Sequence, residues 1–169
     1  MGAWHVFEDG FTADLSDLQL RIARCAGLRP IPAKKFYILA ETQEVESVSP
    51  TPQMAPTQRV SWGIRAMLND ENLEHTSGGA GVTVAILDTG IDREHPDLKS
   101  RIDGCFDFAD LSKGLIEDSC DDLNGHGTHM AGIIAADGGL SGVGLYGFAP
   151  EASISIYRVC NNAGICLSD

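Results

Sequence analysis

The sequence predicts an α/β fold, doubly wound around a mostly parallel sheet with buried helices. Three stretches carry that prediction. Residues 81–92 read Gly-Val-Thr-Val-Ala-Ile-Leu-Asp-Thr-Gly-Ile-Asp, in which Val82, Val84, Ala85, Ile86 and Leu87 form an apolar run interrupted only by Thr83. A run that short, closed by glycines, is the pattern of a strand buried on both faces of a parallel sheet. Further on, Met130, Ile133 and Ile134 recur at helical spacing, and Ala131, Gly132, Ala135 and Ala136 among them are small enough for close packing. Residues 152–159, Ala-Ser-Ile-Ser-Ile-Tyr-Arg-Val, alternate as a second strand.

Taken in order, residues 16–26 read as a short helix that Ser16 caps and Gly27 ends. Pro30 and Pro32 break the chain, and residues 35–40 and 45–48 carry β-rich runs. Pro50, Pro52 and Pro56, with Ser and Thr between them, make an extended linker. Residues 66–73 are expected to be helical, and Gly78 to Gly81 to turn the chain into the strand that ends at Asp88. Residues 103–123 are expected to be a solvated acidic loop, with Asp121 or Asp122 near the rim of the site.

Composition bounds the function. The chain has room for one domain, or one and a small appendage. Twelve basic against 24 acidic residues give a net charge of −12 with no basic patch, which argues against nucleic acid as a partner. No apolar run reaches the length of a membrane span, and the first twelve residues have neither the basic start nor the apolar core of a signal peptide. Five cysteines are many for a reducing compartment and point to a secreted or secretory-pathway protein. Cys105 with Cys120 and Cys160 with Cys166 bracket two short loops, leaving Cys25 over; two disulfides or five free thiols are the alternatives.

The chemistry is concentrated at two points. A carboxylate placed where a buried strand ends is costly unless its charge is needed, and in open parallel sheets ligands gather at the carboxyl ends of the strands. Asp88 is so placed, and Gly90 lets the chain turn sharply away. His126, flanked by Gly125 and Gly127, stands where the predicted helix begins. An Asp at a strand end can hold such an imidazole in one tautomer and stabilise its protonated form, as a general base requires.

Asp88-Thr-Gly-Ile-Asp, His95-Pro-Asp-Leu and His126-Gly-Thr-His together resemble the aspartate and histidine signatures of the subtilisin-like serine proteases. Gly147-Phe-Ala-Pro and the strand after it resemble that family's next element, and Met130 departs from its usual β-branched residue. The resemblance implies a subtilisin-like doubly wound fold acting on polypeptide substrates, with Asp88 as orienting acid and His126 as general base. It also implies substrate pairing near Gly164 and Ile165, and a structural calcium held by Gln58 and Asp97 with carbonyls of residues 137–144. Residues 58–169 then form the amino-terminal part of the catalytic domain. Residues 1–57 resemble the remnant of a propeptide that inhibits its own protease, with cleavage expected between Ser49 and Gln58.

The family's nucleophile stands in a Gly-Thr-Ser type segment, and its oxyanion-hole Asn follows the histidine motif. No serine here, Ser141 and Ser168 included, has that context, so the 169 residues alone are expected to be inactive. Two rival readings are a zinc site on Asp88, His126 and His129, and a non-catalytic binding or inhibitory module.

Overall fold

The computed structural model describes residues 5–7, 10–12, 15–31, 35–37, 58–110 and 113–167. Eleven elements lie among them: β1 His5–Phe7, β2 Gly10–Thr12, α1 Asp17–Cys25, β3 Lys35–Tyr37, α2 Trp62–Leu68, β4 Thr83–Asp88, β5 Ile102–Asp107, β6 Ile116–Glu117, α3 His126–Ala135, β7 Ser153–Arg158 and β8 Ile165–Leu167. The central sheet has the order β4-β7-β5-β6. β7 runs parallel to both β4 and β5, and only the short β6 is antiparallel. The architecture is α/β with a mostly parallel sheet, as the sequence predicts.

β7 forms because its residues alternate: Ile154 and Ile156 are fully buried while the serines beside them are half-buried. Burying each isoleucine contributes about 1.5–3 kcal/mol. Register aligns Val84, Ile154 and Ile102 across one row and Ile86, Ile156 and Cys105 across another. These rows pack with Ala131 and Ala135 of α3, together with Ile91, Leu98, Cys120 and Ala152, to make the core. The last row of the three parallel strands is Asp88, Arg158 and Asp107, three charged residues at the carboxyl edge of the sheet.

Four expectations are corrected. β4 is not buried on both faces: Ile86 and Asp88 are buried while Thr83, Ala85 and Leu87 on the alternate face are exposed, because the core packs against one face of the strand. The stretch expected as a loop over 103–123 begins inside β5, whose apolar signal is broken by Asp103 and Gly104 at a register shift between Ile102 and Gly104. The helix expected at 66–73 is α2, which starts earlier because Ser61 caps it and stops at Asn69, whose φ of 53° is left-handed. In α3 the packed face is Gly127, Ala131 and Ala135, whereas Ile133 is exposed.

α1 has the expected cap at Ser16, and the expected turn at residues 78–81 leads into β4. Of the run at 35–40, Lys35–Tyr37 is β3; the strand at 45–48 and the proline linker lie outside the described residues. Both bracketing disulfides form, Cys105–Cys120 and Cys160–Cys166, and Cys25 is free and exposed. A cross-link closing a loop of 15 residues restricts the unfolded chain by about 3 kcal/mol in the chain-entropy model. No helix among the described residues is long and apolar enough to cross a membrane.

Candidate active site

β4 delivers Asp88 to the end of the sheet, and the chain then turns at Gly90, whose φ is 125°. A Cβ on Gly90 would lie 2.4 Å from the Cys120 carbonyl oxygen, and one on Gly127 would lie 2.1 Å from the Gly90 carbonyl oxygen. Glycine at 90 lets the turn after β4 lie against Cys120 and Asp121, and glycine at 127 lets the first turn of α3 settle on that turn. That approach brings His126 to Asp88. Its Nδ1 is 2.8 Å from Asp88 Oδ1 and 2.9 Å from Oδ2. The Asp88 side chain is nearly buried and the imidazole about a quarter exposed. An N–H on Nδ1 donated to the carboxylate leaves Nε2 as the basic nitrogen.

The surrounding polar atoms are also paired. Asp88 Oδ1 accepts from the Thr89 N–H at 2.7 Å, and the Asp88 carbonyl accepts from the N–H groups of Val159 and Cys160. Thr89, 1% exposed, donates from its hydroxyl to Asp122 Oδ1 and accepts from the Gly127 N–H. Asp122 accepts further bonds from the N–H groups of Asn124, Gly125 and Thr128 and from the Thr128 hydroxyl. Burial works to raise the Asp122 carboxyl, but the Thr128 hydroxyl and the N–H groups of Gly125, Thr128 and Asn124 outweigh it and hold it below the ordinary carboxylate value.

Arg158 joins the sheet end to the loop closed by Cys160 and Cys166. It donates to the Thr89 carbonyl at 3.2 Å, to Asp107 Oδ2 at 2.6 Å and to Asn162 Oδ1 at 2.5 Å. Asn124 donates to the Asn162 carbonyl from the other side. A cavity of about 440 Å³ opens beside Asp107 and Arg158, between the two disulfide-closed loops; neither Asp88 nor His126 lines it.

The other expected residues are distributed as follows. Gly164, with a φ of 71°, turns the chain into β8, and β8 pairs antiparallel with β3 so that Tyr37 lies opposite Ile165. Asp97 is buried, and its Oδ2 accepts from the Leu145 N–H at 2.9 Å. Gln58 is engaged elsewhere: its Oε1 accepts from Arg65 at 2.8 Å. His129 is exposed, and among the described residues no three His, Cys, Asp or Glu side chains gather as a metal set, so the zinc alternative has no geometric support. The sequence reading did not single out Thr89, Thr128, Asp107 or Arg158. Asp122, expected near the rim of the site, lies three residues before the glycine that opens α3.

Fold and site together define an α/β protein with an aspartate–histidine pair at the carboxyl ends of a parallel sheet. Comparison with known proteins narrows the class. Residues 79–168 match the model of the subtilase family. Over 167 residues the chain is 36% identical to a subtilisin of Bacillus sp. (strain TA39), covering 98% of this chain and 39% of that protein. It is 43% identical over 107 residues to the major intracellular serine protease of Bacillus subtilis (strain 168), covering 63% of this chain and 33% of the relative. Among solved structures, sphericase superposes with a TM-score of 0.61 at 44% identity, covering 64% of this chain and 34% of its own. The chain belongs to the subtilase family. It spans about two fifths or less of the length of these relatives.

Proposed function

We propose that the chain carries the acid–base half of a serine endopeptidase. The single observation behind this reading is the His126 ring nitrogen held within 2.9 Å of both Asp88 oxygens. In the reaction, His126 Nε2 takes the proton of a serine hydroxyl as that oxygen attacks the peptide carbonyl, and later returns it to the leaving amine. Asp88 stays ionised, fixes the tautomer and stabilises the imidazolium. The serine and the oxyanion-hole donor come from sequence other than these 169 residues, so the 169-residue chain alone hydrolyses no peptide ester. Turnover by it above a His126→Ala control would contradict the reading.

Residues 58–169 are then the start of the catalytic domain and residues 1–57 a propeptide segment. The β3–β8 pairing supports both this division and the role of Gly164 and Ile165: an extended peptide adds to the β8 edge, and the chain's own segment occupies that edge before a substrate does. The near-complete alignment with the Bacillus subtilisin, which extends through these residues, supports it further. A peptide of residues 1–57 is expected to inhibit the active protease competitively; absence of inhibition would remove the inhibitory role. The two disulfides favour a secreted protein.

Calcium fits one of its two expected side chains. The loop backbone wraps Asp97 so closely that a Cβ on Gly144 would lie 1.9 Å from Asp97 Oδ1, and a buried carboxylate is one donor of the kind a hard cation takes. Gln58 would join only by releasing Arg65. When bound, calcium would tie residues 137–144 to Asp97. An unchanged melting temperature with calcium and with chelator would exclude it.

A further inference from the structure

We infer that Asp122 is a positioning residue for the Asp88–His126 pair, its carboxylate being the joint through which the turn after β4 and the first turn of α3 hold each other. This rests on the proposed role of that pair. The carboxylate has five donors. Oδ1 accepts from the Thr89 hydroxyl at 2.9 Å and from the N–H groups of Asn124 at 3.0 Å and Gly125 at 2.8 Å. Oδ2 accepts from the N–H and hydroxyl of Thr128 at 2.9 and 2.7 Å.

These donors fall in two groups. Thr89 follows Asp88 directly and belongs to the acid's side of the pair. Asn124, Gly125 and Thr128 surround His126 and belong to the base's side. Two more bonds extend the joint: the Thr89 hydroxyl accepts from the Gly127 N–H at 3.0 Å, and the Thr128 hydroxyl accepts from the Asp92 N–H at 2.9 Å. Hence each hydroxyl touching Asp122 also takes a backbone N–H from the opposite segment. α3 begins at Gly125 with no side-chain cap of its own, so Asp122 supplies the acceptor that its N-terminal N–H groups need.

The position of Asp122 does not depend on its side chain. Its N–H donates to the Ile91 carbonyl, the Ile91 N–H donates to the Cys120 carbonyl, and Cys120 is cross-linked to Cys105 of β5. Removing the carboxylate therefore loosens the two segments against each other while the frame beneath them stays. Five donors also converge on a group that makes no bond to His126 or Asp88, which separates its role from theirs.

The test compares Asp122→Ala, Asp122→Asn and Asp88→Asn in the 169-residue chain, read by the NMR resonance of the His126 Nδ1 proton and the titration of the ring. Asp122→Ala is expected to broaden or abolish the Nδ1 proton signal and shift the His126 titration, with the backbone amides of β5 and β7 unmoved. Asp122→Asn keeps an acceptor for Thr89, Asn124 and Gly125 and is expected to recover most of the signal. If Asp122→Ala does not fold, Thr89→Val, which removes the hydroxyl's bonds to Asp122 and to the Gly127 N–H together, is expected to weaken the same resonance. A wild-type Nδ1 proton and titration in Asp122→Ala, or in both Asp122→Asn and Thr89→Val where the alanine variant is unfolded, would overturn the inference. Asp88→Asn separates the two claims: if it leaves His126 unchanged, the pair itself fails; if it alters His126 and Asp122→Ala does not, only the joint fails.

Discussion

Helices α1 and α3 begin in opposite ways. α1 is closed by its own sequence: the Ser16 hydroxyl accepts from the Gln19 N–H, the Gln19 side chain accepts from the Ser16 N–H, and none of its residues is buried. α3 opens at a glycine with a φ of 97° and no cap of its own. Its free N–H groups are met by Asp122, three residues before its N-cap, and by Thr89 from the turn after β4, and its packed face lies on the core. One helix start is written in four consecutive residues. The other also needs the turn after β4 to meet the stretch from Asp122 to Thr128, and the site is built where they do. Damage at α1 should therefore stay local, while damage at α3 should reach the aspartate–histidine pair.

The largest expected difference is chemical. In the protein extended through its nucleophile segment, Asp88→Asn should lower kcat by about 10⁴-fold, since the imidazole loses both its tautomer and its counter-charge. Ser16→Ala should leave kcat unchanged. Steady-state hydrolysis of a peptide ester reads both, and equal small effects would erase the contrast.

Next is packing at the start of α3. Gly127→Ala pushes a methyl group to 2.1 Å from the Gly90 carbonyl oxygen, a backbone atom that cannot step aside. The expected cost is about 1–3 kcal/mol or more, read as a lowered melting temperature. Gly132 in the same helix meets nothing within 4 Å, so Gly132→Ala should instead stabilise the 169-residue chain by about 0.5–1 kcal/mol. Opposite signs from two glycines in one helix would localise the close approach to its first turn.

Acid should act on the same joint. The Asp122 carboxyl is held below its unfolded value, so its contribution to stability is complete above the unfolded pKa and is lost as pH falls through the folded, lowered one. The charged groups nearby are Asp121, which is exposed and paired with Arg93, and the Asp88–His126 pair. Melting measured from neutral to acid pH should fall less steeply in Asp122→Asn than in the wild type; parallel curves would remove Asp122 from the acid response.

The smallest effect belongs to α1. Ser16→Ala should cost that exposed helix about 0.5 kcal/mol, seen as faster amide exchange in residues 17–25 with no change in β4, β5 or β7.

What the sequence made legible follows the same division. β4, β7, α3 and the Ser16 cap were readable because period, apolar runs and capping residues are local signals. The glycines at 90 and 127 marked a close approach, and the bracketing cysteines marked the two loops. β5 escaped because Asp103 and Gly104 break its apolar pattern and its pairing partner lies far along the chain. Asp122 was expected near the rim of the site, but its bonds, Thr89 and the Arg158–Asp107 ion pair escaped, since an acidic residue in an acidic loop looks solvated until its donors are assembled around it. Gln58 illustrates the converse, since its match to a motif did not reveal that Arg65 would claim its side-chain oxygen.

The orientation of His126 is the point on which the account stands. A nitrogen-resolved proton spectrum of the 169-residue chain above the histidine pKa should show the His126 proton on Nδ1, shifted downfield by Asp88, with Nε2 bare, and Asp88→Asn should remove that shift. A His126 protonated on Nε2, or one indifferent to Asp88→Asn, would contradict it.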